Sequence, residues 1–194
     1  GGFGTNIKEA KPVVSRAVLL SSAGVLLTAG ITGIFIHLVL KLPLLESFLV
    51  ASVIGSTDAA SVFNILRSKN LNLKENTASL LEMESGSNDP VSYMLTVILT
   101  AVLTGQSVNI GSMLFFQVFF GIGCGVLFGK STAVVLNQVD FDIAQGKTIL
   151  VFAAAILAYT VPSMIGGNGY LSVYLCGIIL GNSYLPHKRD MVLF

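Results

Sequence analysis

Four acidic residues lie in apolar stretches of the chain, where a carboxylate is costly. Asp89 follows Asn88 near the middle of one stretch, Glu82 and Glu84 precede it there, and Asp58 lies one stretch earlier. A charged side chain at mid-bilayer depth is unfavourable enough that it indicates a functional site by default. Neither stretch contains Lys or Arg. These acids therefore need protons, metal cations or charges from elsewhere in the protein, and this shortage of positive charge is the main clue to function.

The composition is that of a membrane protein. Of the 194 residues, 53% are hydrophobic and only 11% are charged, whereas a soluble domain has about 25% charged residues. A net charge of +1 gives no support for a nucleic-acid partner. The two cysteines match no metal-binding or redox spacing, so we expect no cofactor.

The apolar stretches predict an all-α, polytopic transmembrane helical bundle, because a bilayer core needs about 20 mostly apolar residues per helix. Five stretches are long enough, and a sixth is shorter and is interpreted as a partial or broken span. They cover residues 18–38, 44–66, 77–104, 110–129, 148–166 and, for the shorter one, 170–185. The chain opens on two glycines and stops inside a further apolar run. We interpret residues 1–194 as a transmembrane fragment of a longer polypeptide, whose remainder would complete the bundle.

The basic residues agree with this span count. If the chain crosses at each span, ten of the eleven share one side, which the positive-inside rule makes cytoplasmic; only Lys41 is opposite. The ten are Lys8, Lys11, Arg16, Arg67, Lys69, Lys74, Lys130, Lys147, Lys188 and Arg189.

The second span contains a predicted break. Asp58 lies eight residues from position 66, about 12 Å from the cytoplasmic end of the span, and Asp89 lies about 18 Å from the same face. The two acids are thus both near the midplane and could approach one another. Thr57 and Asp58 follow Gly55, and such residues are better helix caps than helix-interior residues. A discontinuous helix near Thr57-Asp58 would free backbone groups, as in transporter helices; the alternative is an intact helix whose polar side chains bond to its own carbonyls.

The third span presents oxygen atoms beside Asp89. Ser85 and Asp89 are four residues apart and share a helix face. Pro90 has no N–H, so the carbonyl of Gly86 loses its helix bond and a kink is expected there. Carboxylate, hydroxyl and carbonyl oxygens suit a hard cation. The alternatives are a water-filled cleft, or an acid neutralised by a proton, with no transported ion.

These residues resemble a known family. The pattern is similar to the bacterial NhaP-type sodium or potassium/proton antiporters of the monovalent cation:proton antiporter superfamily. It consists of Thr57-Asp58 on one span, then Glu82-x-Glu84-Ser85-x-x-Asn88-Asp89-Pro90 on the next. The resemblance implies that Asp89 alternately binds the cation and the proton, with Asn88 as its neighbouring amide. It also implies that Ser85 and Thr57 supply oxygen ligands to the transported metal cation.

The resemblance further implies roles for two other acids. Asp58 would compensate the ends of half-helices where discontinuous helices cross. Glu84 would pair with an Arg of a later helix that this chain does not contain. The fold would be part of an inverted-repeat antiporter fold with its ion-binding core at about residues 44–104. The protein would be a homodimer in the bacterial plasma membrane.

The resulting functional hypothesis is a secondary transporter, not an enzyme, that exchanges Na⁺ or K⁺ for H⁺. In the family, Asn before the carrier Asp is associated with electroneutral exchange, and that residue here is Asn88. A cation channel or an ion-coupled solute symporter would use the same acidic cavity. An intramembrane aspartyl protease also needs two buried acids on neighbouring helices, but its Tyr-Asp and Gly-x-Gly-Asp pattern is absent.

A glycine repeat in the fourth span has a structural interpretation. Gly121, Gly125 and Gly129 recur every four residues and therefore share one helix face. Small residues at this spacing favour close packing of transmembrane helices. We expect another helix to lie against this face.

Overall fold

The computed structural model describes residues 2–58, 77–107, 109–138 and 144–184, with the single residues 62, 65 and 73. Within these ranges all regular secondary structure is helical, which confirms the predicted all-α class. A short 3₁₀ helix at Gly2–Gly4 precedes the α-helices. These are α1 (Ile7–Ala10), α2 (Val14–Leu40), α3 (Leu44–Ile54), α4 (Thr77–Leu103), α5 (Ile110–Gln138), α6 (Ala144–Met164) and α7 (Gly169–Asn182).

Three helices of the described part are long and apolar enough to cross a bilayer: Val14–Leu40, Ile110–Gln138 and, within α6, Gly146–Met164. Two shorter apolar helices, α3 and α7, accompany them. Helix α4 has 27 residues, as many as α2, and it contains the acids of the third predicted span. At 1.5 Å per residue, 27 residues extend about 40 Å, more than the bilayer core of about 30 Å. The chain is a multi-pass membrane protein.

The predicted break in the second span is confirmed. Helix α3 ends at Ile54, Gly55 forms a turn, and residues 56–58 are not helical. We call residues 55–58 the break. The remainder of the predicted 44–66 span lies outside the described residues, except Val62 and Ile65, which are helical.

The contacts divide the chain into two compact units. One, Lys8–Phe115, contains α2, α3 and α4, which pack against one another. We call it the Asp89 unit. Its apolar core includes Ala29, Ile36 and Ala51, with Leu95 of α4 packed against them. The turn from α2 to α3 is three residues long and uses a left-handed Lys41, with φ of 54°. This core fixes α3 against α4 and thereby places the break.

The other unit comprises Gly1–Ile7 and Phe116–Phe194. Its glycine repeat lies against α7, as the spacing led us to expect. A methyl group added at Gly125 would lie 2.6 Å from the Ser172 carbonyl oxygen, and one at Gly121 would lie 3.0 Å from that of Asn168. From Gly121 to Gly125 the contact on α7 also advances by four residues, from Asn168 to Ser172, so α5 and α7 run parallel. Only glycine allows the two backbones to approach so closely.

Candidate functional site

One turn of α4 provides the side chains on one side of the candidate site. Ser85, Asn88 and Asp89 all lie within the helix, which continues through Gly86 and Pro90. Since Pro90 has no N–H, it cannot donate the usual helix bond to the Gly86 carbonyl. Asn88 is 1% exposed and Asp89 is exposed on the surface of the Asp89 unit. The buried amide is thus fixed within the unit, and the carboxylate beside it faces outward.

The break meets this turn of α4 through Thr57. The Asn88 side chain donates from Nδ2 to the Thr57 carbonyl oxygen at 3.0 Å and to Thr57 Oγ1 at 2.6 Å. The Ser85 hydroxyl donates to the same carbonyl at 3.2 Å. The Thr57 carbonyl oxygen in the break therefore accepts hydrogen bonds from two side chains of α4. The two motifs that the sequence placed on separate spans meet here.

Ser56 is a site residue that the sequence analysis did not identify. Its hydroxyl contacts Asn88 Oδ1 at 3.0 Å and also lies in hydrogen-bond contact with Asp89 Oδ1. The available signal was its position: Ser56 is a hydroxyl residue next to Thr57 in the break. Ser56 is the residue that joins the break directly to the Asp89 carboxylate.

A set of hydroxyls fastens α3 to α4 next to the site. The Ser92 hydroxyl donates to the Ser52 carbonyl oxygen, and Ser52 Oγ lies 2.9 Å from Thr96 Oγ1. Ser52 and Ser92 are both buried. Because Ser52 lies in the last turn of α3, these bonds fix the point at which the chain leaves the helix. They therefore position Ser56 and Thr57 against α4.

The other predicted acids lie around this centre. Asp58 follows Thr57 in the break and is exposed, whereas Glu82 and Glu84 are partly buried in the early turns of α4. The Arg predicted to pair with Glu84 would belong to the remainder of the polypeptide, so that pairing stays a prediction. Among the described residues, no group of three or more His, Cys, Asp and Glu side chains could hold a metal ion. The oxygen atoms that meet where the break contacts α4 are instead hydroxyl, amide and carbonyl oxygens next to the Asp89 carboxylate.

The oxygen atoms at this site are of the types that a hard cation prefers. The Ser85 hydroxyl lies 3.2 Å from the Thr57 carbonyl oxygen. Ser85 is one helix turn before Asp89 on α4, and the Thr57 carbonyl is hydrogen-bonded to that turn. A carbonyl oxygen has two lone pairs, and here it accepts bonds from Ser85 and from Asn88. If the Ser85 hydroxyl hydrogen turned away, its lone pairs and one lone pair of the carbonyl would be available to a cation. Asp89 would supply the charge.

Comparison with known proteins identifies the family. Residues 1–192, almost the whole chain, match the model of the family described as "Sodium/hydrogen exchanger, transmembrane". The chain belongs to this sodium/hydrogen exchanger family. The resemblance drawn from Thr57-Asp58 and the Asn88-Asp89 motif is thereby confirmed.

Several curated relatives are cation/proton antiporters by name. The K(+)/H(+) antiporter NhaP2 of Shewanella oneidensis is 36% identical over 186 residues, which is 94% of this chain and 32% of that protein. The K(+)/H(+) antiporter NhaP of Alkalimonas amylolytica is 34% identical over 189 residues, 96% of this chain and 33% of that protein. The low-affinity Na(+)/H(+) antiporter NhaS1 of Synechocystis is 31% identical over 140 residues, 70% of this chain and 26% of that protein. This sodium/hydrogen exchanger chain spans about a third of the length of the two K(+)/H(+) antiporters and about a quarter of that of NhaS1.

Proposed function

We propose that the protein to which this chain belongs exchanges a monovalent cation for H⁺ across the bacterial plasma membrane. In this proposal the Asp89 carboxylate binds the cation in one state and the proton in the other. The contact that supports it most strongly is between Ser85 and the Thr57 carbonyl, because two neutral oxygen ligands are assembled one helix turn from Asp89. Membership in the sodium/hydrogen exchanger family supports the same activity.

The cation is proposed to be K⁺ or Na⁺, with K⁺ tested first. The relatives at 34–36% identity are named K(+)/H(+) antiporters, and the one at 31% is named a Na(+)/H(+) antiporter. Both ions prefer oxygen ligands, so the ligand types at the break do not separate them. The selectivity of the site between K⁺ and Na⁺ depends on the number of ligands and the size of the cavity. The remainder of the polypeptide would complete the ligand set and the cavity.

We propose one-for-one, electroneutral exchange. The residue before Asp89 is Asn88, whose amide donates to Thr57 and has no titrating proton. With Asp89 as the single carrier, the site would have the same net charge when loaded with a cation or with a proton. In the proposed roles, Asp58 compensates helix ends at the break, and Glu84 pairs with an Arg elsewhere in the polypeptide. The protein is proposed to act as a homodimer.

Two other activities use an acidic membrane site. A channel would pass cations without coupled proton movement, and a solute symporter would need a further substrate. A membrane aspartyl protease requires two carboxyl groups in contact, whereas the hydrogen-bond partner of Asp89 described above is the Ser56 hydroxyl. The coupling of fluxes distinguishes the antiporter from these alternatives.

The test uses the full-length protein in liposomes that contain a pH-sensitive dye. In the wild type, K⁺ or Na⁺ added on one side of the membrane should be exchanged for protons, which move out to that same side. Asp89→Asn should abolish this flux without changing thermal unfolding, because Asn cannot exchange a proton for a cation. Glu46→Gln is the matched control, since Glu46 is an exposed acid in the first turn of α3. Normal exchange by folded Asp89→Asn protein would refute the assignment, and cation flux without proton flux would indicate a channel.

A further inference from the structure

The Ser56 hydroxyl lies between two oxygen acceptors. Its Oγ lies 3.0 Å from Asn88 Oδ1 and is also in hydrogen-bond contact with Asp89 Oδ1. A serine hydroxyl has one hydrogen to donate, whereas an amide oxygen and an ionised carboxylate oxygen can only accept. Beside an ionised Asp89, three oxygen atoms therefore share a single hydrogen. One of the two contacts then has no hydrogen between its oxygens.

The Asn88 amide cannot relieve this shortage by turning over. Its Nδ2 lies 3.0 Å from the Thr57 carbonyl oxygen, which can only accept a hydrogen bond. If the amide were reversed, two acceptor oxygens would face each other at that contact. Asn88 is buried, and a second contact from Nδ2 to Thr57 Oγ1 at 2.6 Å holds the same orientation. The Oδ1 atom of Asn88 therefore stays on the Ser56 side.

The geometry points to Ser56 as a further oxygen ligand of the transported cation, with a lone pair of its Oγ facing the ion bound at Asp89. This role rests on the proposed function, in which Asp89 binds the cation. When the ion binds, the Ser56 O–H donates to Asn88 Oδ1. This leaves a lone pair of Ser56 Oγ and the Asp89 Oδ1 atom free to contact the ion. The cation supplies positive charge where these two oxygens meet without a hydrogen, and no covalent bond changes.

The Asn88 amide connects this oxygen to the ligands proposed above. Its Oδ1 contacts Ser56 and its Nδ2 donates to the Thr57 carbonyl oxygen, so the two ends of one amide hold two oxygens of the break. The Thr57 carbonyl also accepts from the Ser85 hydroxyl. Hydroxyl, carbonyl and carboxylate oxygens are the ligand types that suit a hard cation. Ser56 thus extends the proposed ligand set on the side of the break.

The substitution Ser56→Cys distinguishes direct ligation from a purely positional role. It keeps the shape of the side chain and its single hydrogen, but it replaces a hard oxygen with a soft sulfur, which suits a hard alkali cation poorly. Tl⁺ is close to K⁺ in size and equal in charge, and it is a soft cation that accepts sulfur ligands. A change in the preference between K⁺ and Tl⁺ therefore reports a direct contact between the side chain at position 56 and the ion.

The experiment measures the KM for K⁺ and for Tl⁺ in exchange by the full-length protein in liposomes, in chloride-free buffer at one fixed pH. Ser56→Ala should raise both values about fivefold, the effect of losing one hydrogen-bonding oxygen. Ser56→Thr keeps a hydroxyl and should retain the wild-type values. Ser56→Cys should raise the KM for K⁺ about fivefold and leave that for Tl⁺ near the wild-type value. The matched control is Ser87→Cys, because Ser87 is a partly buried serine one residue before Asn88 on α4, and it should change neither value.

A second measurement does not depend on transport. Binding of K⁺ and Tl⁺ to the detergent-solubilised protein can be followed by the rise in its thermal unfolding temperature, since a ligand that binds only the folded state stabilises it. The affinities of the variants should follow the same pattern. Wild-type affinity in Ser56→Ala, or an equal loss of both ions in Ser56→Cys, overturns the ligand role of Ser56. Normal exchange by Asp89→Asn would instead refute the carrier assignment, and the binding ratio in Ser56→Cys would still show whether an ion contacts position 56.

Discussion

Replacing Asn88 by Ala should release the break from α4 and destabilise the Asp89 unit. Asn88 makes three hydrogen bonds to the break: two from Nδ2 to Thr57, at 3.0 and 2.6 Å, and one accepted by Oδ1 from Ser56 at 3.0 Å. Hydrogen bonds between membrane helices average about 0.6 kcal/mol, and those in soluble proteins about 1 kcal/mol. Three of them correspond to about 2–3 kcal/mol. The Thr57 carbonyl keeps its bond from Ser85, so the loss should not exceed this range.

The matched control is Asn137→Ala. Asn137 is exposed, and its Nδ2 donates to the Ala133 carbonyl oxygen at 2.9 Å within the same helix. Its loss should change the free energy of unfolding by less than about 0.5 kcal/mol, as is usual for surface positions.

Both variants can be measured by equilibrium unfolding of the full-length protein in mixed detergent micelles. Hydrogen exchange followed by mass spectrometry should also show faster exchange of peptides covering residues 55–58 in Asn88→Ala alone. If Asn88→Ala is as stable as Asn137→Ala and exchange at the break is unchanged, these three bonds do not hold the break.

Four further predictions concern the proposed site and its transport cycle. Ser85→Ala should raise the half-saturating cation concentration about fivefold, the equivalent of about 1 kcal/mol, with a smaller effect on the maximal rate; an unchanged value would remove Ser85 from the ligand set. Glu84→Gln should lower the thermal unfolding temperature, because it would leave the expected basic partner buried without its counter-charge; wild-type stability would contradict that pairing. Lowering the pH should raise the apparent KM for the cation, because the proton and the cation compete for the Asp89 carboxylate. An imposed membrane potential should not alter the transport rate; a rate that follows voltage would refute one-for-one exchange.

The sequence was sufficient for properties that depend on neighbouring residues along the chain. Apolar length determined the all-α, multi-pass class, and Gly55 followed by polar residues indicated where the second span breaks. Helix periodicity placed Ser85 and Asp89 on one face of α4. These are local consequences of side-chain spacing, helix propensity and the bilayer's thickness, so they can be derived without knowing which elements pack together.

Only the tertiary structure decided which atoms meet. The glycine repeat predicted close packing, but the identity of α7 as the packed helix depends on contacts about 50 residues away along the chain. Likewise, the buried Ser52 and Ser92 set how far α3 extends along α4, and this register brings the Ser56 hydroxyl to Asp89. A shift of one residue along a helix rotates each side chain by about 100°, so such contacts follow from the packing of whole helices.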